Sequence, residues 1–277
     1  MEEHLALTIF SVCLQAAIGM MVFVAIGRLL NKESVFKNAM LTASGLGIIG
    51  MLASLLHLGR PLRAINSLNQ FGTSWLSREI WFTAIFLGLT IFTVGLVYVK
   101  PKATSVITGL SGVAAVVGLI DVYLMASIYN SASVPIWHNV STYVEFYATA
   151  ISIGAMLFLV FSLKEAAKMR KILAVTVGIV VIIQVASTML FLISSGVNSS
   201  AALQSSLAIL GGMKLATAIK WLFILAGAGS ILWMAKDELS KSFKGAIFSG
   251  AALVLIGQIV GRYLFYAAMV VTGVGLS

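Results

Sequence analysis

Charge is what this sequence has least of. Only 10% of its 277 residues are Asp, Glu, Lys or Arg, against 60% apolar. A water-facing domain typically carries about a quarter charged residues, so a soluble fold is excluded. No stretch between the apolar runs is long enough to form a second domain, and residues 1–277 are expected to make one membrane domain. Cysteine occurs once, as Cys13 within an apolar run, which excludes a disulfide framework, a cysteine metal site and a resident iron–sulfur cluster. Histidine occurs three times: His4 is terminal and His138 lies in a loop, so only His57 borders an apolar run. A haem with two histidine ligands is therefore not expected. There is no glycine-rich phosphate loop, no H-E-x-x-H and no nucleophile elbow. Any redox role has to use a diffusible cofactor or metals held by a partner. Proline is nearly absent too, and Pro61, Pro101 and Pro135 all fall in loops.

What is present is a series of apolar runs. A helix needs about 20 residues to cross the hydrocarbon core. Eight runs qualify: Leu5 to Leu30, Ala39 to Leu58, Glu79 to Val99, Ser105 to Tyr129, Thr142 to Leu163, Ile172 to Ser195, Met213 to Ala235, and Gly245 to about Val271. Membrane β-strands alternate in character over about ten residues. These runs do not alternate, so the expected fold is all-α, an integral membrane bundle of eight helices. The start, Met1-Glu2-Glu3-His4, is acidic and lacks the basic region of a cleaved signal peptide, so the first run is expected to be a retained helix. No internal repeat stands out.

The net charge of +9 reflects topology rather than nucleic-acid binding. Twelve basic residues occupy the loops after spans one, three, five and seven: Arg28, Lys32, Lys37, Lys100, Lys102, Lys164, Lys168, Arg170, Lys171, Lys236, Lys241 and Lys244. The opposite side carries Arg60, Arg63 and Arg78 in one long loop. The basic side is expected to be cytoplasmic, which puts both termini in the periplasm. The outer connections are the long ones, Gly59 to Arg78 and Gly196 to Gly212, and long loops tend to carry function.

Ionisable groups inside a bilayer are costly and usually face a bundle interior or a cavity. His57, Arg78, Glu79, Asp121, Glu145, Lys220 and Arg262 all lie in or beside the spans. At 1.5 Å per residue every one falls in the outer half of the membrane. This asymmetry suggests a polar cavity opening outward. Each residue also has a plainer reading. Glu79 can favour the positive end of its helix, and His57 can be an interfacial cap. Asp121 and Arg262 can form a structural ion pair. Lys220 can snorkel to the interface, and Glu145 is near enough to water to be incidental. Arg60 and Arg63 can anchor at headgroups, and Trp75, Trp81, Trp137 and Tyr143 can form interface belts.

The segment Leu55 to Ile80 reads LLHLGRPLRAINSLNQFGTSWLSREI. It resembles the membrane anchor subunits of dimethyl sulfoxide reductases, the DmsC-like family, whose matching stretch has HLG-P-RA-NSLN followed by S-x-EI. Tyr129-Asn130 with Val134-Pro135-x-Trp137 is similar to the loop after that family's fourth helix. Gly261-Arg262-x-x-Phe265-Tyr266 is similar to its last helix. The resemblance implies an anchor in the bacterial cell inner membrane that holds a molybdopterin catalytic subunit and a four-cluster iron–sulfur subunit. Such an anchor oxidises menaquinol to menaquinone and passes the electrons to the iron–sulfur subunit, with no metal centre of its own. The family's histidine and glutamate match His57 and Glu79. Arg60, where a small polar residue can occur, and Arg78, just before the glutamate, depart from the pattern by adding positive charge.

Quinol oxidation needs a hydrogen-bond partner at each hydroxyl and a base with a route to water, and a histidine and a carboxylate suit that work. His57 ends one span and Glu79 begins the next on the same side, so they are the expected catalytic pair. Asp121, Tyr123 and Arg262 are further candidates for the same cavity, and Arg60, Arg63 and Arg78 for docking the iron–sulfur partner. With protons and electrons leaving on one side, no charge crosses the bilayer. Two alternatives stay open: a quinol-oxidising anchor for a polysulfide, tetrathionate or amine oxide reductase, and a purely structural anchor. A secondary transporter is disfavoured, because such proteins bind near the midplane on broken helices.

Overall fold

The computed structural model describes residues 2–56, 68–196, 200–234 and 241–272. Among them nine α-helices appear: α1 (Glu2–Leu30), α2 (Lys37–Leu56), α3 (Trp75–Val99), α4 (Thr104–Asn130), α5 (Val140–Phe161), α6 (Arg170–Ser195), α7 (Ala201–Gly212), α8 (Lys214–Met234) and α9 (Lys241–Ala267). Eight of these, all but α7, are long and apolar enough to cross a membrane. No strand occurs among the described residues.

Two boundaries differ from expectation with physical reasons. Helix α3 starts at Trp75, before Glu79, because the Ser74 side chain accepts a hydrogen bond from Ser77 N and caps the helix there. Arg78 and Glu79 therefore sit within the helix rather than at its mouth. The stretch Gly196 to Gly212, expected to be a loop, contains α7, which Ser200 caps by accepting from Leu203 N. At 12 residues α7 is too short to span, and only Met213 separates it from α8.

The spans close into two rings. Helices α1, α2, α3 and α4 each pack on the next, and α4 returns to α1. Helices α5, α6, α8 and α9 repeat that order, with α9 returning to α5. The rings meet where α1 packs on α5 and α9 and where α4 packs on α5. Helix α1 is the central post, with 83% of its apolar window buried, whereas α6 on the periphery has 22%. The α1–α5 crossing is a backbone contact. A Cβ added at Gly154 would lie 2.3 Å from the carbonyl carbon of Gly19, so only glycine lets the helices approach this closely.

At the basic end, Arg28 is buried rather than a free loop charge. It donates to Thr108 Oγ1 at 3.1 Å, Ser34 O at 3.0 Å and Thr104 O at 3.1 Å, tying the α1–α2 turn to α4. Glu165 accepts from Val35 N and Phe36 N at 3.1 and 2.8 Å. That holds Phe36 at a φ of 55°, a conformation non-glycine residues rarely adopt. These contacts fix the basic end and leave the opposite end for the cavities.

Candidate functional site

Each ring holds a polar cluster near the end where α3, α5 and α8 begin. In the first ring the cluster surrounds Glu79. Its side chain is buried and lines a cavity of about 260 Å³ to which all four helices contribute, among them Phe10 of α1, Ser54 of α2, Thr83 of α3 and Tyr129 of α4. Thr83, one turn deeper than Glu79, donates to Asp121 Oδ2 at 2.8 Å. Asp121 is fully buried, and its Oδ1 has no hydrogen-bond partner among the described residues.

The ion pair expected between Asp121 and Arg262 does not form. Asp121 faces α3 through Thr83. Arg262 instead faces α1 and α5, donating Nη2 to Gln15 Oε1 at 2.9 Å and to Thr149 Oγ1 at 3.2 Å. Its guanidinium lies 3.7 Å over the Phe146 ring, a contact that partly replaces a counter-ion.

Tyr123 also departs from expectation. It is exposed and stacks on Tyr143, with Trp75 at its edge, outside the Glu79 cavity. The tyrosine in the cavity wall is Tyr129. Helical spacing explains the difference: Asp121, Met125 and Tyr129 follow one another at four-residue steps on one face, while a two-residue step turns a side chain by roughly 200°.

Arg78 is committed to its own loop. It donates Nε to Phe71 O at 2.9 Å and Nη2 to Gly72 O at 2.6 Å, and lies over the Trp75 ring at 4.6 Å. Trp81 Nε1 donates to Leu68 O at 3.2 Å. His57, Arg60 and Arg63 lie outside the described residues. The last turn of α2, which precedes His57, contributes Ser54 and Leu55 to the cavity.

The two shorter sequence segments converge beside this cavity. Tyr129, Trp137, Phe146, Phe265 and Tyr266 form one aromatic cluster. Trp137 stacks on Phe265 with ring centroids 5.0 Å apart, and Tyr129 meets Trp137, Phe265 and Tyr266 at 5.1 to 5.4 Å. Trp137 Nε1 donates to Phe265 O at 3.1 Å, and the Tyr266 hydroxyl donates to that of Tyr129 at 3.2 Å. Trp137 is thus buried core rather than an interface residue. His138 hydrogen-bonds Ala132 O and stays with its loop.

The second ring holds a cluster that the sequence alone does not assemble. Lys220 Nζ lies 2.9 Å from Glu145 Oε1, the one ion pair among the described residues. Gln184 Nε2 donates to Glu145 Oε2 at 2.8 Å, and the Thr188 hydroxyl donates to Oε1 at 3.2 Å. Gln258 continues the network to Ser152 and Gln184, and Thr149 carries it to Arg262. Lys220 therefore does not snorkel, and Glu145 is not incidental. Their depths, both a few residues from the same end, are the one signal the sequence holds.

The Glu79 cavity offers a buried carboxyl and a phenol at the wall of an apolar chamber, suited to hydrogen-bonding and deprotonating a flat lipid-soluble head group. Among the described residues no group of three or more His, Cys, Asp or Glu side chains is placed to hold a metal ion.

Comparison with known proteins agrees with this architecture. A family model described as "DMSO reductase anchor subunit (DmsC)" matches residues 1–268. One of the chains of the anaerobic dimethyl sulfoxide reductase of Escherichia coli strain K12 is 32% identical over 83% of this sequence and 80% of its own length. The anaerobic dimethyl sulfoxide reductase protein YnfH of the same organism is 28% identical over 98% and 96%. Its counterpart in the anaerobic dimethyl sulfoxide reductase of Haemophilus influenzae is 29% identical over 99% and 98%. With eight apolar spans and a family match over nearly its whole length, the chain is a multi-pass membrane protein belonging to the DmsC family of dimethyl sulfoxide reductase anchor subunits.

Proposed function

We propose that this anchor oxidises menaquinol at the Glu79 cavity and passes the electrons to an iron–sulfur partner with four clusters. That partner in turn serves a molybdopterin catalytic subunit that reduces dimethyl sulfoxide. The quinol gives up two electrons and two protons to become menaquinone. Glu79 accepts one proton and His57 holds or accepts the other, each from one ring hydroxyl, while the Tyr129 hydroxyl orients the ring. The observation that carries this reading is Glu79 itself: a buried carboxyl in the wall of an apolar cavity of about 260 Å³. That volume is close to the lower end of the roughly 300–1,000 Å³ range of small-molecule sites. It suits a ring head group whose tail runs out into lipid.

The basic-loop asymmetry supports a periplasmic placement for both termini and for this cavity, in the bacterial inner membrane. Arg60 and Arg63 are then available to dock the iron–sulfur partner. Arg78 contributes indirectly, by holding residues 71 and 72 against the start of α3. Protons and electrons leave on one side, so turnover moves no charge across the bilayer. The names of the relatives favour dimethyl sulfoxide over polysulfide, tetrathionate or amine oxides as the acceptor.

The test is quinol oxidation by the assembled complex carrying Glu79→Gln or His57→Ala. Loss of a positioned proton acceptor is expected to slow it about 100-fold or more while assembly stays intact. Normal rates in both assembled variants would leave only a structural anchor. Quinol-driven charge movement in proteoliposomes would refute the one-sided proton release.

A further inference from the structure

The larger cavity is not the one at Glu79. It has a volume of about 580 Å³ and lies at the same end of the bundle in the second ring, walled by α5, α6, α8 and α9, with α7 across one side. Its walls are mostly apolar, with Phe191, Leu210 and Trp221 prominent, and its charged groups are Lys214, Lys220 and Glu145. Glu145 is already saturated by Lys220, Gln184 and Thr188. Lys220 spends one N–H on Glu145 and keeps two. Lys214 is exposed and has no acidic partner among the described residues. The cavity thus carries one uncompensated positive charge. The two lysines lie six residues apart on α8, or about 9 Å along its axis, one at the mouth and one within.

We propose that this cavity binds an anionic phospholipid. The phosphodiester pairs with Lys214 at the mouth, a glycerol ester carbonyl accepts from the spare N–H groups of Lys220, and an acyl chain lies along Phe191, Leu210 and Trp221. The two-level arrangement of cations matches a lipid whose charge and ester oxygens lie at successive depths. An uncharged quinol would leave Lys214 unused and would find Glu145 already committed. The site is separate from the Glu79 cavity and stands whether or not that cavity takes a quinol.

The full-length chain in phosphatidylcholine nanodiscs doped with phosphatidylglycerol or phosphatidylethanolamine supplies the test, with lipid retention read by native mass spectrometry. Phosphatidylglycerol is expected to be retained over phosphatidylethanolamine. Lys214→Gln removes an exposed charge without disturbing packing and is expected to weaken retention about five-fold. Ala218→Trp, which fills the cavity without changing charge, is expected to reduce it as well. Lys100→Gln at the opposite end is expected to change nothing. Equal retention of both lipids, or retention unaffected by Lys214→Gln and Ala218→Trp, would overturn the proposal. So would displacement of bound phosphatidylglycerol by a soluble menaquinone analogue, which would make this a second quinone site.

Discussion

Thr83 and Asp121 join α3 to α4 through a single hydrogen bond of 2.8 Å, one helical turn deeper than Glu79. It gives Asp121 its only partner among the described residues, since the second carboxyl oxygen has none. Thr83→Val should therefore destabilise the protein by about 1–3 kcal/mol, the range for stranding a buried polar group. Thr83→Val combined with Asp121→Leu removes both halves and should recover part of that loss. Thermal unfolding in detergent micelles measures both. A double variant less stable than Thr83→Val alone would show that Asp121 has another role in holding the fold.

Two tyrosines on α4 should behave differently. Tyr129 lines the Glu79 cavity, whereas Tyr123 faces outward. Tyr129→Phe keeps the aromatic cluster and removes one hydroxyl, so quinol oxidation should fall about five- to ten-fold, the worth of one hydrogen bond of about 1 kcal/mol. Tyr123→Phe should leave the rate unchanged. Steady-state kinetics on the assembled complex decide between them, and the reverse ranking would move the site to the other face of α4.

The Lys220–Glu145 pair makes a prediction about stability alone. Lys220→Met strands a carboxylate in the second ring, and removing one member of a buried pair costs roughly 3 kcal/mol or more. The double variant Lys220→Met with Glu145→Gln should regain most of it, because the remaining amide still accepts from Gln184 and Thr188. Denaturation midpoints of the two variants, compared with the parent, provide the check. Equal losses would mean that the pair contributes nothing as a pair.

Close packing at the α1–α5 crossing yields a further expectation. A Cβ at Gly154 would collide with the Gly19 backbone, and no flexible side chain is there to yield. Gly154→Ala should lower stability by about 1–3 kcal/mol, as overpacking does, and reduce the monodisperse yield in size-exclusion chromatography. Gly95→Ala, where the added carbon meets nothing within 4 Å, is the matched control and should be neutral.

Much of this is legible in the residues, for reasons that can be named. The spans are, because membrane helices are long uninterrupted apolar runs, and eight of them appear where such runs occur. Helix α7 is not, because 12 mixed apolar and serine residues carry no spanning signal. Glu79 is legible as a costly carboxyl near a helix start, and the structure buries it at a cavity. Tyr123 attracts notice by lying two residues from Asp121, yet counting in fours from Asp121 points to Tyr129. The partnership of Glu145 with Lys220 is hidden by sequence distance, since 75 positions separate them. Only their equal depth hints that they meet.

The central position of α1 has a consequence for biogenesis. Helices leave the ribosome in order, so the helix that is finally most enclosed is the first to enter the lipid. Its glycine-bearing face must wait there through three further helices before α5 arrives, and longer still for α9. During that interval Gln15, which in the finished protein accepts from Arg262, is a polar side chain facing hydrocarbon or an insertase. A nascent polypeptide halted after α4 would hold that face open, and it is at this stage of synthesis that a membrane chaperone would have most to cover.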